Sequence, residues 1–250
     1  MKRTAITALA LCSLLGLCSL TSCSDKASSS SSAADTYLQG SGEVAAGGNG
    51  SSEDETASGS SSEEWPVESP EEGAMDYDLG DYRTDPETGI KLYYDDTVFS
   101  RELMQTLEQY FLTFQNRDFE GYKEINYPEY CDDMETFLQK DYGYGLEESF
   151  NGQCDNLNDI MGGSFKITRV KAEVSEEYDS EQEGIDDFLE YMDEVFGSSD
   201  FSTNVKNSGG ELRYFTFYIM AEDADGEESM LVSQFNTLFL LKDGKYYTFG

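Results

Sequence analysis

From residue 95 onward, apolar side chains recur at every third or fourth position in three successive segments, the spacing of one face of an α-helix. The first segment carries Leu103, Leu107, Tyr110, Phe111 and Phe114, the second Phe119, Tyr122 and Ile125, and the third Tyr130, Met134, Phe137 and Leu138. Ser100 and Asp118 precede the first two segments and are residue types that cap helix N termini. Tyr127-Pro128 separates the second segment from the third, because the residue before a proline avoids helical geometry. Three helices are therefore predicted at the start of the folded domain.

Residues 142–163 contain so many glycines and asparagines that we expect an irregular segment. Apolar and polar residues then alternate with a period of two, as they do in a strand, but the parity changes once. Phe165 and Ile167 have one parity, whereas Val170, Ala172 and Val174 have the other. A slip of one residue would turn the buried face outward, so we predict a β-bulge near Thr168 and Arg169.

The C-terminal third predicts one more helix and an antiparallel sheet. Helical spacing relates Ile185, Phe188, Leu189, Met192, Val195 and Phe196, and Gly197 is expected to end this helix. Strands are predicted at residues 212–221, 230–241 and 245–249, with turns at residues 223–226 and at Asp243-Gly244. The predicted fold class is α+β, with amphipathic helices packed on a curved antiparallel sheet.

Residues 1–22 have the pattern of a signal peptide. Lys2 and Arg3 form a basic start, and the apolar run that follows is shorter than the roughly 20 residues of a membrane-spanning helix. Thr21 and Ser22 before Cys23 resemble the lipobox of bacterial lipoproteins, in which the cysteine carries diacylglycerol and becomes the first mature residue. The resemblance implies lipidation of Cys23 and a location on the extracytoplasmic face of the cell membrane. The alternative is an ordinary secretory signal that leaves Cys23 as a free thiol.

The remaining chain divides by composition into three parts. Residues 23–73 are rich in Ser, Gly and Glu, bury too little apolar surface to fold, and are predicted to be a disordered tether with an r.m.s. span of roughly 35 to 42 Å. Residues 74–94 form a transition segment, in which residues 85–89 have turn chemistry and residues 90–94 predict an edge strand. Residues 95–250 form the α+β globular domain.

Charge and residue content exclude several functions. The chain has 51 acidic and 16 basic residues, a net charge of −35, so we expect no nucleic acid partner. It contains no histidine, which removes the common triads and imidazole metal sites. We therefore expect no cofactor and no metal.

Residues 223–228 are acidic around a glycine, which is a composition found in calcium-binding loops. In such a loop Ala221 and Val232 would occupy the first and last positions, and neither side chain can bind the ion, so a hairpin turn is favoured.

The order of elements resembles that of the nuclear-transport-factor-2-like (cystatin-like) superfamily: helices, a bulged strand, a helix, then antiparallel strands ending in Gly244-Lys245-Tyr246-Tyr247. The resemblance covers about 150 residues and rests on no diagnostic motif. It implies a cone in which a curved sheet wraps around helices, with a pocket at the wide end used for ligands, subunit pairing or catalysis. It does not settle which of these applies.

Five polar or aromatic residues of the two long strands are the candidate ligand pocket. They are Tyr214, Thr216, Tyr218, Gln234 and Asn236. In a pocket their rings would line the walls and their amides would orient a neutral or cationic small molecule; the alternative is that they face solvent. The folded domain has two cysteines, Cys131 and Cys154, which we expect to form a disulfide in an oxidising compartment, with two buried thiols as the alternative.

Three functions are compatible with these patterns. The leading hypothesis is a non-enzymatic, lipid-anchored binding or scaffold domain of a bacterial envelope, whose partner is a neutral or cationic small molecule, a peptide or an envelope protein. The second is an extracytoplasmic enzyme of the resembled superfamily that uses a carboxylate and a tyrosine. The third is a structural envelope protein without a ligand. An open cone favours the first two, and a filled core favours the third.

Overall fold

The computed structural model of the chain describes residues 65–74 and 76–250. The predicted signal peptide, the lipidation of Cys23 and most of the predicted tether lie outside the described residues, so they stay predictions. The described residues form six α-helices and a curled sheet of six strands, which confirms the α+β class.

The helices are α1 (Arg101–Asn116), α2 (Phe119–Ile125), α3 (Pro128–Asp141), α4 (Leu146–Ile160), α5 (Glu181–Phe196) and α6 (Asp200–Asn207). The strands are β1 (Tyr82–Thr84), β2 (Lys91–Tyr93), β3 (Lys166–Val174), β4 (Glu211–Glu222), β5 (Glu228–Lys242) and β6 (Lys245–Thr248). One turn of 3₁₀ helix at Tyr77–Leu79 precedes β1.

The strands lie in chain order from β1 to β6 and pair antiparallel, except that β2 and β3 are parallel. The register of β3 against β4 shifts between Ile167 and Arg169, which confirms the predicted bulge. Residues 90–94 do contain a strand, but the edge prediction was wrong, because β2 lies between β1 and β3. The sheet therefore begins inside the predicted transition segment and not at residue 95.

The first three helices and their caps are as predicted. The Ser100 hydroxyl accepts a hydrogen bond from the Leu103 amide at 3.1 Å, and the Asp118 carboxylate accepts one from the Gly121 amide at 3.0 Å. Gly197 ends α5 in the left-handed conformation, at φ 69°, also as predicted.

Two helices were not predicted. Helix α4 occupies most of the segment expected to be irregular, which corrects that expectation. Its buried residues Leu146, Phe150, Cys154 and Leu157 follow helical spacing and pack into the core, so tertiary burial outweighs the low helix propensity of its Gly and Asn residues. Helix α6 is short and buries only Phe201 and Val205, a signal too brief to distinguish from a loop.

The face of the sheet that α1 covers is filled with aromatic side chains. The rings of Phe111 and Phe217 have centroids 5.1 Å apart, and those of Phe215 and Phe239 stack at 5.4 Å. The cavity left between α1 and this face has a volume of about 10 Å³, which is at most the room of one water molecule. On this face the sheet is a packed core and not a pocket.

Both predicted turns are present. Asp243 and Gly244 have φ values of 53° and 77°, the pair of positive angles that a tight hairpin of β5 and β6 requires. In the turn between β4 and β5, the Asp223 carboxylate accepts hydrogen bonds from the amides of Asp225 and Glu227, each at 2.9 Å. The carboxylate therefore closes its own turn, as expected of a hairpin.

The segment before β1 lies against the sheet. Glu68 and Tyr82 exchange backbone hydrogen bonds of 2.8 and 2.9 Å, although Glu68 falls in the predicted tether. Asp76 is 3% exposed and accepts hydrogen bonds from the Tyr93 hydroxyl at 2.6 Å and the Lys91 ammonium at 2.9 Å, and Arg169 lies 3.4 Å away. Burial opposes ionisation of Asp76, but these donors and charges together lower its pKa to about 2.

Candidate functional site: the sheet face and the helical cleft

Four of the five candidate pocket residues lie together on the face of the sheet away from α1. Tyr214, Thr216 and Tyr218 share this face of β4, and Asn236 of β5 lies opposite Thr216 in register. Gln234 is separate from them: it is exposed, with a φ of 52°, at an irregularity in the pairing of β5. Four of the five residues therefore share one face of the sheet, and Gln234 does not belong with them.

The connection from β3 to α5, residues 175–180, supplies partners to this cluster. The Asn236 side chain donates to the Glu177 carboxylate and accepts from the hydroxyls of Thr216 and Ser175. The rings of Tyr178 and Tyr214 are 5.6 Å apart, and the Tyr214 ring also packs on Gly184 of α5, where a Cβ would collide with it. The Asn236 amide, which was expected to orient a ligand, instead bonds within the protein.

Tyr218 forms the one carboxylate–tyrosine pair in this cluster. Its hydroxyl donates to Glu173 of β3 at 2.5 Å. That hydrogen bond, with burial, raises the pKa of Tyr218 to about 12. Burial alone would raise the pKa of Glu173, but hydrogen bonds from Lys171 and Tyr218 bring it below its usual value. Acid–base catalysis near neutrality needs the opposite shifts: a raised pKa for the carboxylate that acts as the base and a lowered pKa for the tyrosine that acts as the acid.

An open cleft with a volume of about 630 Å³ lies between α2, α3 and α4, and we call it the helical cleft. It is lined by Phe119, Lys123, Cys131, Asp132, Glu135, Gly145, Leu146, Glu147, Glu148 and Asn151. Glu135 of α3 accepts the Leu146 amide at 2.5 Å and so fixes the first turn of α4 against α3. The two walls of the cleft are joined by this contact.

The helical cleft is acidic. Asp132, Glu135, Glu147 and Glu148 contribute four carboxylates to its lining, and Lys123 contributes one ammonium. That ammonium is bound to Glu120 at 2.9 Å, which raises the pKa of Lys123, and it lies 4.9 Å from the centre of the Phe119 ring. The acidic lining therefore attracts cations, and the Lys123 ammonium already lies over the Phe119 ring.

Sequence reasoning missed the helical cleft because it missed α4. The signal was present: Leu146, Phe150 and Leu157 lie on one helical face, with Cys154 between them. With α4 recognised, Glu147 and Glu148 fall in its first turn, where acidic residues are favoured, and both are exposed.

Cys131 and Cys154 are both buried and both free, which differs from the predicted disulfide. Burial raises the pKa of each thiol to about 11, so the thiolate needed for oxidation is scarce at neutral pH. The two residues lie on different helices, Cys131 on α3 and Cys154 on α4.

We expect neither cysteine of the folded protein to react with iodoacetamide near neutral pH, because only a thiolate reacts and the folded state suppresses it. After unfolding without reductant, both should be alkylated, and the mass of the intact protein reports the number. Unfolded protein that still takes up no label at these two residues would instead establish the disulfide predicted from the sequence.

The aromatic pair of the α3–α4 loop divides between surface and core. Tyr142 is 62% exposed and its ring lies 5.6 Å from that of Phe137, whereas Tyr144 is half-buried and packs against the core. Tyr144 therefore closes the edge of the core, whereas Tyr142 presents its ring to solvent.

Comparisons with known proteins give no match: no family model, no curated protein and no solved structure is similar to this chain. Within residues 65–74 and 76–250, no three acidic or cysteine side chains are grouped so that they could hold a metal ion. No helix of the same residues is long and apolar enough to cross a membrane.

Proposed function

We propose that this chain is a lipid-anchored, extracytoplasmic binding domain of a bacterial cell envelope, and that the helical cleft takes a cationic group of its ligand or partner. One observation carries the binding part of the proposal: the open concavity between α2, α3 and α4 is lined by four carboxylates and one ammonium that already has a partner. A lining of this charge favours an ammonium or guanidinium group.

The anchor part rests on the sequence. Thr21-Ser22-Cys23 ends a signal-like segment, and the Ser- and Gly-rich stretch after it is long enough to hold the domain away from the bilayer. A binding domain on such a tether would meet ligands or partners in the envelope outside the membrane.

The two other functions are less well supported. An enzyme using a carboxylate and a tyrosine would draw on Glu173 and Tyr218, whose pKa values are shifted away from acid–base work. A purely structural protein agrees with the filled core under α1, but it gives no account of the acidic cleft. Binding measurements separate the structural function from the binding function.

Replacing Cys23 with serine is expected to move the protein from the membrane fraction to the soluble or secreted fraction, because the acyl chains would have no thiol to attach to. Detergent partitioning and fractionation of cells measure the shift. A Cys12→Ser variant is the control and should stay with the membrane. Unchanged partitioning of the Cys23→Ser protein would exclude the lipid anchor.

Replacing Glu147 and Glu148 together with glutamine is expected to weaken binding of a tri-lysine peptide about fivefold, because each partly exposed ion pair contributes roughly 0.2–1 kcal/mol. Calorimetric titration at low salt measures the affinity, and added salt should weaken it. A tri-glutamate peptide should not bind.

The matched control for that pair is Asp225→Gln with Glu227→Gln, which removes two charges from the exposed turn between β4 and β5. It should bind tri-lysine like the unaltered protein. An equal loss in both double variants would mean that the peptide senses only the overall charge of the protein, and the helical cleft would then not be the site.

A further inference from the structure

Two buried carboxyl groups face each other where the β1–β2 turn packs on α1. Asp85, at the start of the turn, is 2% exposed, and Glu108, in the middle of α1, is fully buried. The Asp85 carboxylate accepts the Glu87 amide at 2.7 Å and the Gln105 side chain at 3.4 Å, which holds it toward α1. Glu108 lies within hydrogen-bonding reach of Asp85.

The Glu108 carboxyl has one oxygen with a partner and one without. Its Oε1 accepts the Thr88 hydroxyl, whereas its Oε2 is buried and has no hydrogen-bond partner. An ionised carboxylate with an orphaned oxygen is costly in a buried site, and a second carboxylate nearby adds repulsion. A proton on Glu108 removes the charge and turns the orphaned acceptor into a donor.

We propose that Asp85 and Glu108 form a proton-binding site, in which one shared proton fastens the β1–β2 hairpin to α1. The charges that act most strongly on Glu108 are those of Asp85 and Glu87, both acidic and both on the turn. Burial, with these charges, raises the pKa of Glu108 to about 7, against the opposing hydrogen bond from Thr88. This inference does not depend on the helical cleft or on the anchor.

A proton fits this site better than a metal ion does. Two carboxylates with one hydroxyl and one amide give few hard ligands, and the described residues contain no group of three acidic or cysteine ligands placed for a metal. A pair of carboxyls that shares one proton is the arrangement expected when two like charges meet in a buried site.

The direction of the pH dependence follows from the raised pKa of Glu108. Between about pH 4.5 and about pH 7 the folded protein holds this proton and the unfolded chain releases it, so the contribution of this site to stability falls as pH rises through that window. Proton affinity in the folded state exceeds that of a free glutamate by roughly 300-fold. Rising pH therefore loosens the hairpin and the segment before it.

Trp65 provides the measurement. It is the single tryptophan of the chain and precedes β1, and the Arg101 guanidinium, at the start of α1, lies 5.4 Å from the centre of its ring. Release of this segment should change its fluorescence. We expect the full-length Cys23→Ser protein to show a fluorescence transition with a midpoint near pH 7.

Thermal unfolding is the second readout. Between about pH 5 and about pH 8, the melting temperature of the protein with Glu108 should fall by about 5 °C more than that of Glu108→Gln. The variant should be less sensitive because its amide can donate to Asp85 at every pH. The variant should also lack the fluorescence transition. Glu124→Gln removes an exposed carboxylate from α2 and is the control, which should keep both effects.

Identical pH profiles of the unaltered protein and Glu108→Gln would overturn the proposal. If Glu108→Gln does not fold, Asp85→Asn is the second variant, because it keeps a hydrogen-bond acceptor in the turn but removes the charge next to Glu108. The midpoint of its fluorescence transition should move to lower pH, and an unmoved midpoint would contradict the proposal. The proposal would also be overturned if Mg²⁺ or Ca²⁺ stabilised the protein with both carboxyl groups but neither variant. The pair would then be a site for a metal cation.

Discussion

Replacing Phe217 with alanine is expected to lower the free energy of unfolding by about 3–5 kcal/mol. The ring is 2% exposed and lies between Phe111 of α1 at 5.1 Å and Phe235 of β5 at 5.3 Å. Because the space between α1 and the sheet is already filled, removing the ring leaves a void that rigid neighbours cannot close completely. Urea unfolding followed by circular dichroism measures the loss.

The control for Phe217→Ala is Val174→Ala in β3, where the side chain is 58% exposed. Its effect should stay within about 0.5 kcal/mol. Phe217→Leu should lie between the two, since leucine retains most of the apolar volume. A loss below about 1 kcal/mol for Phe217→Ala would mean that the core under α1 is loosely packed.

Asp76→Ala is expected to cost about 3 kcal/mol or more, because removing one partner of a buried ion pair leaves the other charge without compensation. Asp76 accepts hydrogen bonds from Lys91 and Tyr93 and forms an ion pair with Arg169. Its loss would leave the Tyr93 hydroxyl buried without this acceptor and Lys91 without this ion pair. The free energy of unfolding from urea titration measures the loss, and Asp78→Ala, an exposed carboxylate of the same turn, should change it little.

Asp76 also makes stability depend on pH, in the direction opposite to Glu108, because its contribution is lost as pH falls. Its pKa falls from 3.8 in the unfolded chain to about 2 in the folded protein, so its contribution is complete above about pH 4 and is lost as pH falls through about 2. The shift corresponds to roughly 2 kcal/mol. The stabilities of the unaltered protein and of Asp76→Asn should therefore converge toward pH 2, and a constant difference down to that pH would contradict this assignment.

Helical periodicity was enough to predict α1, α3 and α5, because each has an apolar face that repeats for two turns or more. Helix α2 has only seven residues, and its prediction also relied on the Asp118 cap and on Tyr127-Pro128 at its end. Periodicity and caps were not enough for α4, where Gly152 and several asparagines hide an apolar face that only packing makes helical. The parity change near Thr168 predicted a bulge, since it violates a period that the buried face enforces.

The candidate site was harder to predict than the fold. Alternation placed Tyr214, Thr216 and Tyr218 on one face, but nothing local in the sequence indicated that residues 175–180 would cross that face and bond to Asn236. The proximity of Asp85 to Glu108 likewise depends on how the β1–β2 turn packs on α1. Contacts between distant segments are set by tertiary packing, which short-range patterns do not encode.

The parallel pairing of β2 with β3 has a consequence for the order of folding. Arg169 stands beside Lys91 in the sheet, yet helices α1 to α4 lie between them along the chain. Closing so long a loop costs entropy before any of its contacts can form, and such long-range pairings slow folding. While the chain emerges N-terminus first, the β1–β2 hairpin must wait, exposed, for β3. The interval between the synthesis of the two strands is therefore when the newly made chain is most open to proteolysis and to pairing with a second copy.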